Sequence, residues 1–337
     1  MRRPVLLTEP IRVPPTPALR RWSVDHGFSP ELVARWGEFY PDLKGLVAAM
    51  QKPVPTYIRL NGLRGEPRDT VTRLRAKGFK VTAGPLPGSA MLEEAPFSPG
   101  ATTEYLLGTY FLQDLSSQLA PLALLPKPGD RVADLCAAPG GKTVAMADQM
   151  RNKGAIAAFD PDVGRHQALV SNLARCGVIN CATWAKPGQS AAALEEAFDA
   201  VLLDAPCTGE GVVARDPTRK QGQLQEFAAC SREQASLMDT AHGILRPGGV
   251  LVYATCTLAP EENELQVDAA VQSGRFRIEQ LPEAVRDAKI QGQRLWPGMA
   301  TVGGKDLHPD MKHTFHALPH QHGCLGFYVA RLRKEAS

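Results

Sequence analysis

The last two thirds of the chain alternate short apolar runs with stretches mostly long enough to hold a helix, and few folds accommodate that rhythm. The runs lie at residues 132–135, 155–159, 181–184, 200–203 and 250–254. Apolar runs this short, bounded by polar segments, read as strands, and continuous apolarity places both faces of each strand in a core. Strands joined by helices build an open, mostly parallel sheet with right-handed crossovers. Two later runs, 276–281 and 326–332, have no obvious helix between them and are expected to close the sheet as an antiparallel pair. The fold class is therefore α/β from about Thr109 onward.

The chain ahead of that point has a different character. Residues 1–22 are Pro-rich and read as an arm. In residues 23–50, Phe28, Leu32, Val33, Trp36, Phe39 and Tyr40, then Leu43, Leu46, Val47 and Met50, follow the helical period. Ser29 before Pro30 suits the N-cap and first position of a helix. Two short helices are expected here. An alternating strand at 56–61, an amphipathic helix at 68–77, a stop at Gly78 and a second strand at 79–82 complete a small α+β module. Residues 23–108 thus form one unit and residues 109–337 another. Of the formal charge of +3, residues 1–110 carry 15 Lys and Arg against 10 Asp and Glu, whereas the remainder carries 23 against 25. Arg73, Arg75 and Lys77 belong to this basic front, which either grips a polyanion or is a solvated helix face.

Several classes are excluded. With 44% hydrophobic and 22% charged residues the composition is that of a globular chain. No apolar run approaches the roughly 18 residues of a membrane span. The opening segment holds a four-residue apolar run before Thr8, short of a signal-peptide core, so a cytoplasmic protein is expected. Seven cysteines without a C-x-x-C or C-x-x-H cluster suggest neither a disulfide framework nor zinc, and no metal is expected.

Chemistry concentrates at the ends of the expected strands, where open α/β sheets bind ligands. The first run leads into Asp134-Leu-Cys136-Ala137-Ala138-Pro139-Gly140-Gly141-Lys142-Thr143. A Gly-pair turn between strand and helix lets backbone N–H groups approach a ligand, and Asp160, 20 residues after Gly140, is spaced to meet ribose hydroxyls. A P-loop is excluded because position 136 is Cys, not Gly. The fourth run closes in Asp204-Ala-Pro206-Cys207-Thr-Gly-Glu-Gly211, and the fifth in Thr255-Cys256-Thr-Leu-Ala-Pro260-Glu261-Glu262-Asn263. Both thiols would point into the same crevice. Pro260 suits a helix start, which would place Cys256 just before a helix N-terminus and favour its thiolate, with the glutamates opposing.

These three blocks resemble the signature blocks of the Sun-domain RNA cytosine-5 methyltransferases, as do Arg165 with Asn172, Arg175 and Gly177 and the closing residues 326–334. The resemblance covers roughly residues 20–337. Residues 104–108 with Gln113 are similar to the archaeal-type, tRNA-modifying branch. The resemblance implies a Rossmann-like class I methyltransferase sheet with S-adenosyl-L-methionine as cofactor. It implies Cys256 as the nucleophile on C6 of cytosine, Cys207 as the thiol that helps release product, Asp204 at the base edge and Lys142 between cofactor and cytidine. Cys136, Ala137, Ala138, Pro139, Gly140, Gly141, Lys142, Asp160, Arg165 and Asp204 would bind the cofactor. The basic front would then hold RNA. With no additional RNA-binding domain in view, tRNA is favoured and ribosomal RNA is the alternative; a monomer would suffice.

One departure stands out. The family carries an acid after the third strand beside adenine, yet residues 180–188 contain none. Five histidines between His308 and His322 read as a surface loop near substrate, with His308 and Lys312 on phosphate. The four tryptophans read as packing residues. Two other functions are weighed: a DNA cytosine-5 methyltransferase, which would use a Pro-Cys nucleophile like Pro206-Cys207, and a non-catalytic RNA-binding scaffold with a vestigial cofactor fold. The second cysteine at Cys256 opposes the first, and the retention of Lys142, Asp204 and both thiols opposes the second.

Overall fold

The computed structural model describes residues 10–195 and 197–335. Three helices open it: α1 (Pro17–Asp25), α2 (Pro30–Phe39) and α3 (Leu43–Met50). The expected arm is therefore corrected. Its first nine residues lie outside the described ones, and at Pro17 the chain enters a helix capped by Thr16, whose hydroxyl accepts from the Leu19 amide at 3.2 Å. Pro17 occupies a first turn that has no hydrogen bond to lose. Ser29 and Pro30 start α2 as expected.

A four-stranded antiparallel sheet follows in the order β2-β3-β1-β4. Its elements are β1 (Thr56–Leu60), α4 (Pro67–Ala76), β2 (Lys80–Ala83), β3 (Ser89–Glu94), α5 (Thr103–Leu106) and β4 (Tyr110–Leu112). Ile58, Leu74, Phe79, Leu92 and Tyr110 fill its core. β3 escaped the sequence reading because it holds no β-branched residue.

After α6 (Leu119–Leu124), all five apolar runs form strands of one large sheet: β5 (Arg131–Asp134), β6 (Ala155–Phe159), β7 (Cys181–Trp184), β8 (Phe198–Asp204) and β9 (Leu245–Thr255). Their crossovers include α7 (Gly141–Gln149), α8 (Val163–Cys176) and α9 (Leu224–Ile244). Beyond α10 (Glu264–Gln272) come β10 (Phe276–Glu279), β11 (Trp296–Pro297), β12 (Phe315–Ala317) and β13 (Phe327–Lys334). The order is β11-β12-β13-β9-β8-β5-β6-β7, with β10 also paired to β13. Pairings from β7 to β9 are parallel, and β13 runs antiparallel to both β9 and β10, as expected of the late runs. No helix among the described residues is long and apolar enough to cross a membrane.

The helices of residues 17–50 belong to the large sheet. Leu32, Trp36, Tyr40 and Leu46 share a core with Leu203, Leu251 and Tyr253. A division at residue 108 thus separates α2 from the sheet it packs on and β4 from the sheet it completes. Polar contacts reinforce the packing. Buried Arg35 donates from Nη1 to Glu261 Oε1 at 2.9 Å and from Nη2 to Oε2 at 2.7 Å. Trp36 Nε1 donates to Glu210 Oε1 at 3.0 Å, and the Tyr40 hydroxyl to Leu258 O at 2.8 Å. One helix therefore grips the segments that follow both β8 and β9.

Several cations of the basic front have partners within the chain, although only Arg59 among them is buried and Arg64, Arg73 and Arg75 are exposed. Buried Arg59 donates to Gln113 and to Gly141 O, and Arg64 to the carbonyls of Ala174 and Arg175. Lys77 and Arg73 pair with Glu104, itself only 4% exposed, and Arg75 donates to Val81 O at 2.7 Å. The first two arginines fasten the small sheet to α7 and α8, and the stripe on α4 holds its own module together.

Removing Arg35 strands Glu261 in the interior. Arg35→Ala should lower unfolding free energy by about 3–5 kcal/mol in urea titration, while Arg35→Met with Glu261→Leu recovers most of it. Equal losses in both variants would show that the pair itself does not brace the helix.

Candidate active site

The crevice opens beyond the carboxyl ends of β5, β6, β8 and β9. β5 ends in buried Asp134, whose Oδ2 accepts from Thr143 Oγ1 at 2.7 Å. Burial pushes this carboxyl up to about 7 against that hydrogen bond. Gly140 then turns the chain into α7 with φ near 104°, a left-handed conformation suited to glycine. Asp160 reaches across from the end of β6, its two oxygens accepting from the amides of Ala138 at 3.2 Å and Asp162 at 3.1 Å. Arg165 donates to Ala138 O at 2.9 Å and stands 3.4 Å from Asp160. Asp160 and Arg165 thus shape the Gly-pair loop as well as facing the crevice.

The crevice encloses about 440 Å³, ample for a nucleoside-sized ligand. Cys136, Lys142, Asp160, Arg165 and Asp204 line it with both Cys207 and Cys256. Ala137, Ala138, Pro139 and Gly141 line an adjoining pocket of about 250 Å³, which shares Cys136, Lys142 and Asp204. Gly140 lines neither.

The two thiols meet. Cys207 Sγ and Cys256 Sγ lie 3.3 Å apart, both free. Their contact lowers the pKa of Cys256, with burial and Asp204 opposing and Lys142 assisting. The same contact, together with burial, raises Cys207 well above its ordinary value. Ionisation is thus easier at Cys256 than at Cys207. Lys142 donates to Asp204 Oδ2 at 2.6 Å, and its ammonium sits 5.6 Å from the centre of the Phe327 ring. Burial pulls this lysine down, and Asp204 more than reverses the effect.

The expected helix start at Pro260 is corrected, because α10 begins at Glu264. Glu261 turns to Arg35, and Glu262 accepts from the Thr208 amide, the Thr208 hydroxyl and Gln234 Nε2. A neighbouring sulfur, not a helix terminus, tunes Cys256. The histidine reading also needs correction. His316 is fully buried and bonded to Glu264 at 2.6 Å, and His322 is buried against the backbone of Leu318 and Arg294. Counting ionisable residues in a Gly- and Pro-rich stretch gave no sign of their burial. Trp36 and Trp184 pack as expected, the latter stacked 4.9 Å from Phe159.

Several crevice residues were missed, Gln189, Arg215 and Glu233 among them. Gln189 lies one residue beyond the segment searched for an acid beside adenine, and Glu233 comes from α9 with no local pattern to mark it.

The strand order, the antiparallel last strand and the Gly-pair loop define a Rossmann-like class I methyltransferase. A family model described as 16S rRNA methyltransferase RsmB/F matches residues 121–333, and the chain belongs to that family. It is 34% identical to a mouse 28S rRNA (cytosine-C(5))-methyltransferase over 90% of this chain and 38% of that protein. It is 38% identical to the ribosomal RNA small subunit methyltransferase F of Cronobacter sakazakii over 86% of this chain and 59% of that one. The chain thus spans well under two thirds of these two curated relatives. Among solved structures, a methyltransferase homolog from Pyrococcus horikoshii superposes with TM-score 0.83 and 35% identity, covering 95% of this chain and 99% of that one. The same organism's NSun6, solved with SFG, gives TM-score 0.80 at 24% identity, over 93% of this chain and all of that one. The donor of the methyl group in such a family is S-adenosylmethionine.

Burial lifts Glu262 to about 7 in the folded chain, although Thr208 and Gln234 hold its charged form. Unfolded chains release this proton near pH 4.3, so the group's contribution to stability is full below that pH. It then declines by about 1.4 kcal/mol per pH unit up to about 7, and is level above. Asp134 and Glu210 are pushed up to about 7 as well, so Glu262→Gln should remove only its own share of the slope when urea midpoints are measured between pH 5 and 7. An unchanged slope would assign the proton uptake elsewhere.

Proposed function

We propose that this chain methylates C5 of cytosine in RNA, using S-adenosyl-L-methionine. The observation that carries the reading is the 3.3 Å thiol pair beside Lys142 and Asp204, in a chain whose relatives are named RNA cytosine-C(5) methyltransferases. C5 of cytosine is a weak nucleophile within an aromatic ring. Addition of the Cys256 thiolate to C6 breaks that aromaticity and gives C5 enamine character. Asp204 commits one oxygen to Lys142; its other oxygen would share a proton with N3 of the base, and that proton meets the negative charge pushed onto the ring as the sulfur adds. Lys142 keeps that region cationic. The Gly-pair loop, Asp160 and Arg165 would hold the cofactor, which supplies an electrophilic methyl group, and Gln189 offers a polar contact for adenine where the family has an acid. Once C5 carries the methyl group its proton leaves, the C6–S bond breaks, and Cys207 assists that release.

Ribosomal RNA is the better-supported substrate class. The likeness of residues 104–108 to the tRNA-modifying branch speaks for tRNA, whereas the curated relatives are named for small-subunit or 28S ribosomal RNA. Reaching the base requires that it leave its stack, which costs least in a loop or an unpaired stretch. Nothing in the crevice favours the DNA reading: its nucleophile would be Cys207, whose thiol is the harder of the two to ionise. The scaffold reading would leave the lowered Cys256 without a purpose.

Incubation with labelled cofactor and deproteinised ribosomal RNA should transfer label to cytosine. Cys256→Ala should abolish transfer. Cys207→Ala should accumulate a covalent protein–RNA adduct, visible as a band retarded under denaturing conditions. An adduct that needs Cys207 and survives Cys256→Ala would overturn the assignment.

A further inference from the structure

Arg215 is one cation of the crevice whose donors are uncommitted. Lys142 is bonded to Asp204, and Arg165 to Ala138 O beside Asp160. The neighbouring Arg219 donates to Thr208 O and to Asp216. Arg215, by contrast, makes one ion contact among the described residues, Nη2 to Asp114 Oδ2 at 3.6 Å, and no side-chain hydrogen bond. Its side chain is about half exposed (49%), and it lines both the crevice and the adjoining pocket.

Its partner is built to aim it. Asp114 is 2% exposed. Its Oδ1 is saturated by the Ser116 amide at 2.9 Å and the Ser116 hydroxyl at 2.6 Å, with the Leu325 amide at 3.4 Å. Its Oδ2 is buried without a hydrogen bond and faces only the guanidinium. A carboxylate with one oxygen spent and the other left over orients a cation without neutralising its remaining N–H groups. Asp114 follows β4, Leu325 precedes β13, and Arg215 ends the turn after Cys207, its amide bonded to Val212 O. Three segments around the thiols thus converge on this contact.

Resting on the reading of this site as an RNA cytosine methyltransferase, we propose that Arg215 binds a backbone phosphate of the nucleotide held over Cys256, with Asp114 as its positioning residue. A nucleotide drawn into the crevice brings a phosphodiester to its mouth. A planar guanidinium with free paired donors suits that group better than an ammonium does.

The test uses the full chain, with oligocytidylate as the single-stranded probe and deproteinised ribosomal RNA for turnover. Arg215→Ala should flatten the slope of log affinity against log salt by about 0.7, the share of one single-strand phosphate contact. It should raise KM for RNA about ten-fold, the equivalent of one charge-assisted hydrogen bond. Turnover at saturation and the affinity for S-adenosylhomocysteine should hold. Arg215→Lys should restore the salt slope but only part of KM, and Asp114→Asn should raise KM while leaving the slope intact. An unchanged slope and KM in Arg215→Ala, or a loss confined to cofactor affinity, would overturn the proposal. If the wild-type chain methylates no RNA, the functional reading fails, and the salt slope still reports whether Arg215 meets phosphate.

Discussion

Arg35 is a buried cation facing three buried carboxylates, and the architecture of the site follows from that imbalance. It takes Glu261 in a two-pronged pair, leaving Glu210 and Glu262 to be satisfied by neutral donors. Burial pushes both of these up to about 7, so near neutrality the knot avoids carrying three full negative charges. Their donors are chosen accordingly: Trp36 and Thr257 for Glu210, and Thr208 with Gln234 for Glu262. Thr208 follows Cys207 and Thr257 follows Cys256, and the two hydroxyls are themselves 2.9 Å apart. The polar knot under α2 is therefore the mould in which both sulfur-bearing turns are cast.

What the sequence made legible was whatever depends on neighbours along the chain. Four of the five parallel strands could be read because strands buried on both faces are largely apolar, and the edge strand β7 could be read from its spacing although it is only partly buried. α2 could be read from Ser29, Pro30 and the spacing of Leu32, Trp36 and Tyr40. Its partner could not, since periodicity says that a face is covered and not by what; the helix assigned to a basic module packs on the large sheet. Charge counting is blind to partners in the same way. Arg59, Arg64 and Lys77 are cations in any tally, yet each answers a carbonyl or carboxylate distant in sequence. His316 and Glu264 are 52 residues apart, and Arg215 and Asp114 about twice that, so no local pattern announces either pair.

The site itself was legible to the level of residue type and not to the level of protonation. Asp204, Cys207 and Cys256 stand out at strand ends with polar flanks, and parallel β8 and β9 bring them together, with Asp204 opposite Ala254. Their distance makes the two sulfurs ionise unequally, and the charges around each decide which goes first. At 3.3 Å two thiols share one hydrogen bond, so the first proton lost is eased and the second resisted. Lys142 and Asp204 both act on Cys256, with opposite sign.

That contact in turn rests on the absence of side chains. The Gly211 amide donates to Cys256 O at 2.9 Å, and the Gly326 amide donates to Gly211 O at 2.9 Å, so the turn after β8 lies directly on the turn after β9 and on the approach to β13. A Cβ on Gly211 would stand 2.6 Å from Gly326 O and 2.7 Å from Cys256 O, closer than carbon and oxygen can approach, and both obstacles are backbone. Any side chain there must pry the two turns apart. Because a hydrogen bond between sulfurs weakens steeply with separation, a small displacement would return Cys256 and Cys207 toward the behaviour of two ordinary buried thiols. The glycine that looks like a turn residue in the sequence is, in the fold, the condition for telling one cysteine from the other.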